Sequence, residues 1–501
     1  MSNNVIIRRL ATGVPGLDAV LGGGLPEFAF SLIAGAPGCG KTTLAHQIMF
    51  ALATPEKPAI YFTALGEPPL KMFRYQQQFD FFDSSAIGSA IHFVSLSDEI
   101  LAGDLDQLLR RIVVEVEARG PALVFVDSFR ALARANQEEG TGGTQLQHFV
   151  DQLGVFMTGF QATTFLIGEY DSDNQTTPIL GMADGLIWLR QSLQRNSMVR
   201  KMEIVKMRGQ ATLPGLHTFR ISQAGIEVFA PSESVAEEAP PRLIAGPSRI
   251  RTGVPHLDDM LGGGLPPGCS VLVAGPSGSG KSILAAAFLA EGVRLGETGV
   301  VAAFERPSHR SRNPVLAQLI QSGKVGVVDN RALDLSIDEL VLLLVTEVHR
   351  LKATRVVIDS LSGFELALAP TFRDDFRESL ARMVTALGGL GVTVLMTSEI
   401  EDRYTDLRFS PYGTAFLTDV IIVQRYIEVG SRLRRVIAVV KVRASAHSDE
   451  LRLFTIDDSG IRIGRTMPDE EGLLGGRPTR MASQDLSEAL DRTGPKAASA
   501  E

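Results

Sequence analysis

Cysteine is nearly missing from this chain: its 501 residues contain two, Cys39 and Cys269. Two thiols cannot build a disulfide framework or a cysteine-based metal cluster, and the expected setting is a reducing cytoplasm. A surplus of positive charge is missing too. The net charge is −8, which argues against DNA as a partner and against a protein that coats nucleic acid. Neither a zinc motif nor a basic arm is found. The short clusters RSR (310–312) and RLRR (432–435) read as solvated faces or subunit contacts. Long apolar runs are also lacking. No stretch approaches the roughly 20 residues of a membrane-crossing helix. MSNNVIIRRLATG at the N-terminus has no signal-peptide hydrophobic region.

What is present is a globular composition, 45% hydrophobic and 21% charged. The length exceeds one ordinary core, so at least two domains are expected. The chain also repeats itself. RLATGVPGLDAVLGGGLPEF (9–28) returns as RIRTGVPHLDDMLGGGLPPG (249–268), an offset of 240 residues that Lys41 and Lys281 share. LVFVDS (123–128) returns as RVVIDS (355–360), and KMR (206–208) as KVR (441–443). Four blocks in one order mean two copies of one domain, at a spacing far above the roughly 20–50 residues of solenoid repeats. The expected organisation is a first domain at 1–230, a linker rich in Pro, Glu and Ser at 231–248, a second domain at 249–466 and a disordered tail at 467–501.

Each copy alternates short apolar runs with helical stretches. SLIAGA, AIYFTA, ALVFVDS and TTFLIGE in the first copy, and VLVAGP, VVAAFE, RVVIDS and TVLMTS in the second, read as buried strands. The fold class expected is α/β, with mainly parallel sheets covered by helices on both faces.

The chemistry is carried by GAPGCGKTT (35–43) and GPSGSGKSI (275–283), which both fit G-x-x-x-x-G-K-[ST] between a strand and a helix. Such a loop surrounds the crowded charges of ATP phosphates with backbone N–H groups and a helix N-terminus, and glycines keep side chains out of the way. The ATP-binding candidates are Gly35, Ala36, Pro37, Gly38, Cys39, Gly40, Lys41, Thr42 and Thr43 in the first loop. In the second they are Gly275, Pro276, Ser277, Gly278, Ser279, Gly280, Lys281, Ser282 and Ile283. Lys41 and Lys281 would reach the β- and γ-phosphates, and Cys39 marks a backbone position rather than thiol chemistry. Thr42 and Ser282 offer a hydroxyl to Mg²⁺. Asp127 and Asp359 each end an apolar strand, where a carboxylate can hold that ion directly or through water.

Together these blocks resemble the KaiC family of RecA-like ATPases. The resemblance rests on the tandem TGVPxLDxxLGGGLP openings, the two P-loops, the hydrophobic-Asp-Ser strands, the KMR and KVR triplets and TDVIIVQRYIE (418–428). It covers roughly residues 9–465 and implies two tandem RecA-like cores in a double-layered homohexameric ring, with ATP between neighbouring subunits. It also implies that Lys206 and Arg208, and Lys441 and Arg443, cross to a neighbour's phosphates. A K-x-R on a strand points both cations to one side, where they could act as an arginine finger does.

The family's paired glutamates after the second strand are broken here. YFTALGEPP (61–69) keeps Glu67 with Gly66 before it, and VAAFERPS (301–308) keeps Glu305 with Arg306 after it. One carboxylate is enough to polarise a water, so Glu67 and Glu305 are the candidate bases. The family's Ser-Thr phosphoacceptor pair falls on Ala415 and Phe416, with Ser410, Thr414 and Thr418 nearby. The leading expectation is a slow Mg-ATP-hydrolysing ring that signals by docking other proteins. An autophosphorylating serine/threonine kinase, a RecA-like DNA recombination accessory ATPase and a non-hydrolysing, nucleotide-gated scaffold are the alternatives.

Overall fold

The computed structural model describes residues 7–63, 69–102, 104–128, 142–170, 179–194, 197–230, 249–304, 313–329, 336–368, 376–400, 417–429, 431–466, 470–471 and 479–480. The chain divides into two compact units, Met1–Ser234 and Val235–Glu501. In the tail, Glu470–Glu471 pairs antiparallel with Thr479–Arg480. Among the described residues no helix is long and apolar enough to cross a membrane.

The first unit is built on β1 (Phe30–Gly35), β2 (Ala59–Thr63), β3 (Ile91–Ser95), β4 (Leu123–Asp127), β5 (Thr163–Glu169), β6 (Gly185–Gln194), β7 (Ser197–Met207), β8 (Leu216–Ser222) and β9 (Gly225–Val228). The second repeats this set as β10 (Ser270–Gly275), β11 (Gly299–Ala303), β12 (Val325–Asp329), β13 (Arg355–Asp359), β14 (Thr393–Glu399), β15 (Val420–Val429), β16 (Arg432–Val442), β17 (Arg452–Asp457) and β18 (Gly460–Thr466). Each set forms one nine-stranded sheet. The orders are β9-β8-β7-β6-β1-β5-β4-β2-β3 and β18-β17-β16-β15-β10-β14-β13-β11-β12. The two are the same topology.

From β6 to β3, and from β15 to β12, neighbours are parallel. The far ends add an antiparallel meander, β6-β7-β8-β9 and β15-β16-β17-β18. The expected parallel sheets are therefore present, and the meander beyond the P-loop strand extends them. The continuous apolar runs are explained by burial on both faces. Ile33, Tyr61 and Phe125 pack on one face of the first sheet, and Leu32, Ile60 and Val124 on the other. The second sheet is covered on both faces in the same way.

Helices cover these faces. In the first unit they include α1 (Lys41–Leu52), α2 (Leu105–Arg119) and α3 (Gly142–Gly159), and in the second α4 (Lys281–Arg294), α5 (Ile337–Leu351) and α6 (Phe376–Gly389). Local chemistry sets several ends. Asp104 accepts from the amides of Asp106 and Gln107 to start α2. Ser336 and Glu339 form a reciprocal capping box at α5.

One buried feature separates the units. Arg355 opens β13 with a side chain 1% exposed. It donates to Glu297 Oε2 at 2.6 Å and to the carbonyls of Arg251 and Phe288 at 2.7 and 2.8 Å. The guanidinium also lies 4.7 Å over the Phe288 ring. In the first unit the matching strand opens with buried Leu123. Arg355→Ala should lower the stability of the second unit by about 3 kcal/mol, because it strands Glu297 and two carbonyls. Denaturant unfolding checks this. A loss below about 1 kcal/mol, the size of a surface pair, would mean that water replaces the guanidinium.

Candidate nucleotide-binding sites

Each P-loop joins a central strand to a helix: Gly35 ends β1 and Lys41 begins α1, as Gly275 ends β10 and Lys281 begins α4. The residue capping each helix must be glycine. Gly40 and Gly280 have φ 107° and 109°, in the left-handed region. A Cβ on either would lie 2.7 Å from the Cδ1 of Ile221 or Ile456. The meander thus packs directly under each cradle. Thr43 and Ile283 lie in the first turn of the two helices.

The loop lysines fold over their own loops. Lys41 Nζ donates to Gly35 O at 3.0 Å and Ala36 O at 2.9 Å. Lys281 Nζ donates to Gly275 O and Pro276 O, both at 2.8 Å. The two ammonium groups therefore sit at the same place in both cradles.

The middle of each loop is anchored differently. Cys39 is fully buried in one apolar cluster with Leu189, and burial pushes its thiol pKa up against the opposing charge of Lys41. Its counterpart Ser279 donates to Gln424 Oε1 at 3.1 Å. Leu189 lies opposite Gly35 in register, and Gln424 is one residue past Val423, the partner of Ala274. An apolar pair in one site is a hydrogen-bonded pair in the other.

The strand-end aspartates stand beside these loops. In the first unit Thr42 Oγ1 donates to Asp127 Oδ2 at 2.9 Å, and the Tyr61 hydroxyl donates to the same oxygen at 2.6 Å. Burial raises the Asp127 pKa, with Glu169 adding to the rise and Tyr61, Thr42 and Lys41 opposing it. In the second unit Thr397 Oγ1 donates to Asp359 Oδ1 at 2.5 Å. There a cavity of about 250 Å³ is lined by Ser277, Gly278, Lys281, Ser282, Asp359 and Glu399, among others. Hydroxyl and carboxylate oxygens at the mouth of a phosphate loop are hard donors, the set that suits Mg²⁺ shared with phosphate and water. The residues present fit that ion.

Glu169 and Glu399 escaped the sequence reading. They end β5 and β14 directly opposite Gly35 and Gly275. The signal was the glutamate closing both TTFLIGE and TVLMTSE, whose meaning depends on which strand neighbours the P-loop. Glu67 and Glu305 lie outside the described residues, as do Ser410, Thr414, Ala415 and Phe416. Thr418 is fully buried, and its carbonyl accepts from Lys441 Nζ at 2.6 Å.

The K-x-R cations stand at the other end of the sheet. Lys206 and Met207 pair with Leu186 and Gly185, and Gly185 pairs with Ser31 near the start of β1. Arg208 Nη1 meets Asp184 Oδ1 at 3.0 Å, and the other oxygen of Asp184 accepts from the Phe30 amide at 3.1 Å. Arg443 repeats this with Asp419 at 3.2 Å, and Asp419 accepts from the Ser270 amide at 3.0 Å. Lys206 Nζ donates to Gly181 O at 2.9 Å. Desolvation first, and then the adjacent arginine, lower the pKa of both Lys206 and Lys441. A six-residue strand spans about 17 Å, so the cations are a strand length from their own P-loop.

A family model described as the KaiC ATPase matches residues 10–233 and again 250–467. The chain belongs to the KaiC ATPase family. Among its relatives, the circadian clock oscillator protein KaiC of Picosynechococcus sp. is 26% identical, over 97% of this chain and 96% of its own length. The circadian clock protein KaiC3 of Synechocystis sp. is 27% identical over 96% of each. KaiC of Rippkaea orientalis is 25% identical, over 96% of this chain and 94% of its own. Both copies of this KaiC-family chain carry the RecA-like core.

Beneath Tyr61 lies a further difference between the copies. His46 on α1 is buried edge-on against the Tyr61 ring, with centroids 4.6 Å apart, where the second unit has Ala286. Desolvation pushes the His46 pKa from 6.5 down to about 4, against a weaker opposing contact with Gln76. The imidazole is neutral in the fold and protonates in the unfolded chain, so its contribution is present above pH 6.5 and lost as pH falls through 4. His46→Leu should remove about 3 kcal/mol of this acid sensitivity from the first unit. Thermal unfolding across this pH window, parent against variant, checks it, and parallel pH profiles would contradict it.

Proposed function

We propose that the chain binds Mg-ATP at both P-loops and hydrolyses it slowly within a homohexameric ring, and that nucleotide-dependent contacts in this ring signal by docking other proteins. One observation carries the reading. In both units the loop lysine, the loop hydroxyl residue and the strand-end aspartate share one end of the sheet, while the K-x-R cations occupy the opposite end.

In this mechanism the loop amides hold the phosphates, and Lys41 or Lys281 exchanges its carbonyl partners for phosphate oxygens. Thr42 with Asp127, and Ser282 with Asp359, would hold Mg²⁺, which supplies charge neutralisation at the β- and γ-phosphates. Glu67 and Glu305 polarise the attacking water. Glu169 and Glu399, at the strand ends beside the loops, are the alternative bases. Lys206 and Arg208, and Lys441 and Arg443, cannot serve their own loop a strand length away, so they serve a neighbour's. The docking of partners rests on membership of the family, and the cytoplasmic setting on the scarcity of cysteine.

Replacing Glu67→Gln and Glu305→Gln together should slow ATP turnover by about 10²-fold or more. A double variant at the parent rate would move the role to Glu169 and Glu399. Arg208→Ala with Arg443→Ala should lower turnover by about 10³-fold, while both P-loops still bind nucleotide. Light scattering with and without ATP accompanies this measurement. A chain that stays monomeric in every condition, or a double variant with unchanged turnover, would refute the trans arrangement.

A further inference from the structure

We propose that Tyr61 in the first unit and Thr397 in the second are positioning residues for the metal-facing carboxylates, each supplying from a different flanking strand the hydroxyl that orients Asp127 or Asp359. The inference rests on the Mg-ATP reading above.

Each aspartate ends a strand flanked on both sides. Asp127 on β4 lies opposite Thr63 of β2 and Ile167 of β5. Asp359 on β13 lies opposite Ala303 of β11, and Thr397 of β14 follows Met396, the partner of Ile358. Tyr61 is two residues before Thr63, on the same side of its strand as Thr63, and at its place on β11 stands Val301. Each site therefore has a hydroxyl on one flank and an aliphatic side chain on the other: Tyr61 with Ile167, and Val301 with Thr397. The exchange is concerted, and each carboxylate keeps one donor from a flanking strand, at 2.6 Å or 2.5 Å.

Tyr61 cannot swing away. His46, Phe93 and Phe125 hold its ring at centroid distances of 4.6, 5.4 and 5.9 Å. In the first site Thr42 donates to the same carboxylate oxygen. When the Thr42 hydroxyl turns toward Mg²⁺, the Tyr61 bond keeps the carboxylate plane aimed at the loop. Thr397 performs that office for Asp359. Groups of this kind, one bond removed from a metal, alter its affinity about 10- to 100-fold.

The test measures equilibrium retention of labelled ATP by the full chain against Mg²⁺ concentration, and again in EDTA. In a Lys281→Ala background, Tyr61→Phe should raise the half-maximal Mg²⁺ concentration about tenfold and leave metal-free retention unchanged. Adding Ile167→Thr, which copies the second unit's donor, should return it toward the parent value. In a Lys41→Ala background, Thr397→Val should raise the requirement of the second site, and Tyr61→Phe should not. An unmoved Mg²⁺ requirement, equal losses with and without Mg²⁺, or failure of Ile167→Thr to rescue would overturn the inference. If the parent chain retains no ATP in any condition, the Mg-ATP reading itself falls and takes this inference with it.

Discussion

Everything at the two sites depends on the parallel pairing of a buried central strand on both its edges. β1 is held between β5 and β6, and β10 between β14 and β15. Parallel register brings strand ends to one level, so Gly35 meets Glu169, Gly275 meets Glu399, and the aspartates of β4 and β13 finish one strand further along. A loop of bare amides then opens at that level onto a helix N-terminus, which is where phosphate charge is best accommodated. Without this register, the lysine and hydroxyl that begin α1 and α4 would not meet the aspartate that ends β4 or β13.

The same constraint governs how the copies have diverged. A buried hydroxyl or amide needs a partner, and a buried aliphatic group does not. Two of the changes between the units accordingly come in pairs. Cys39 with Leu189 answers Ser279 with Gln424, and Tyr61 with Ile167 answers Val301 with Thr397. Arg355 goes further and gathers a carboxylate and two carbonyls where the first unit has Leu123. Strand order is retained through all three exchanges, while the polarity around each cradle is not.

Location also shapes the chemistry. Arg208 and Arg443 are bound through Asp184 and Asp419 to the amides that open β1 and β10. The same aspartates bridge the end of the meander to the P-loop strand.

By itself the sequence determined the duplication, the α/β class, the two phosphate loops and the aspartates that end the strands. These are local or recurring properties: a glycine pattern, an apolar run, blocks that return in the same order. Tertiary structure alone decided what depends on strand order. That Glu169 and Glu399 stand beside the loops follows from β5 and β14 neighbouring β1 and β10. That Tyr61 and Thr397 serve equivalent carboxylates follows from the opposite flanks they occupy. That the K-x-R cations face away from their own cradles follows from the antiparallel run of β7 and β16, which carries each triplet back to the strand's beginning. Spacing along a chain records none of these, because hydrogen-bonded register joins residues tens of positions apart.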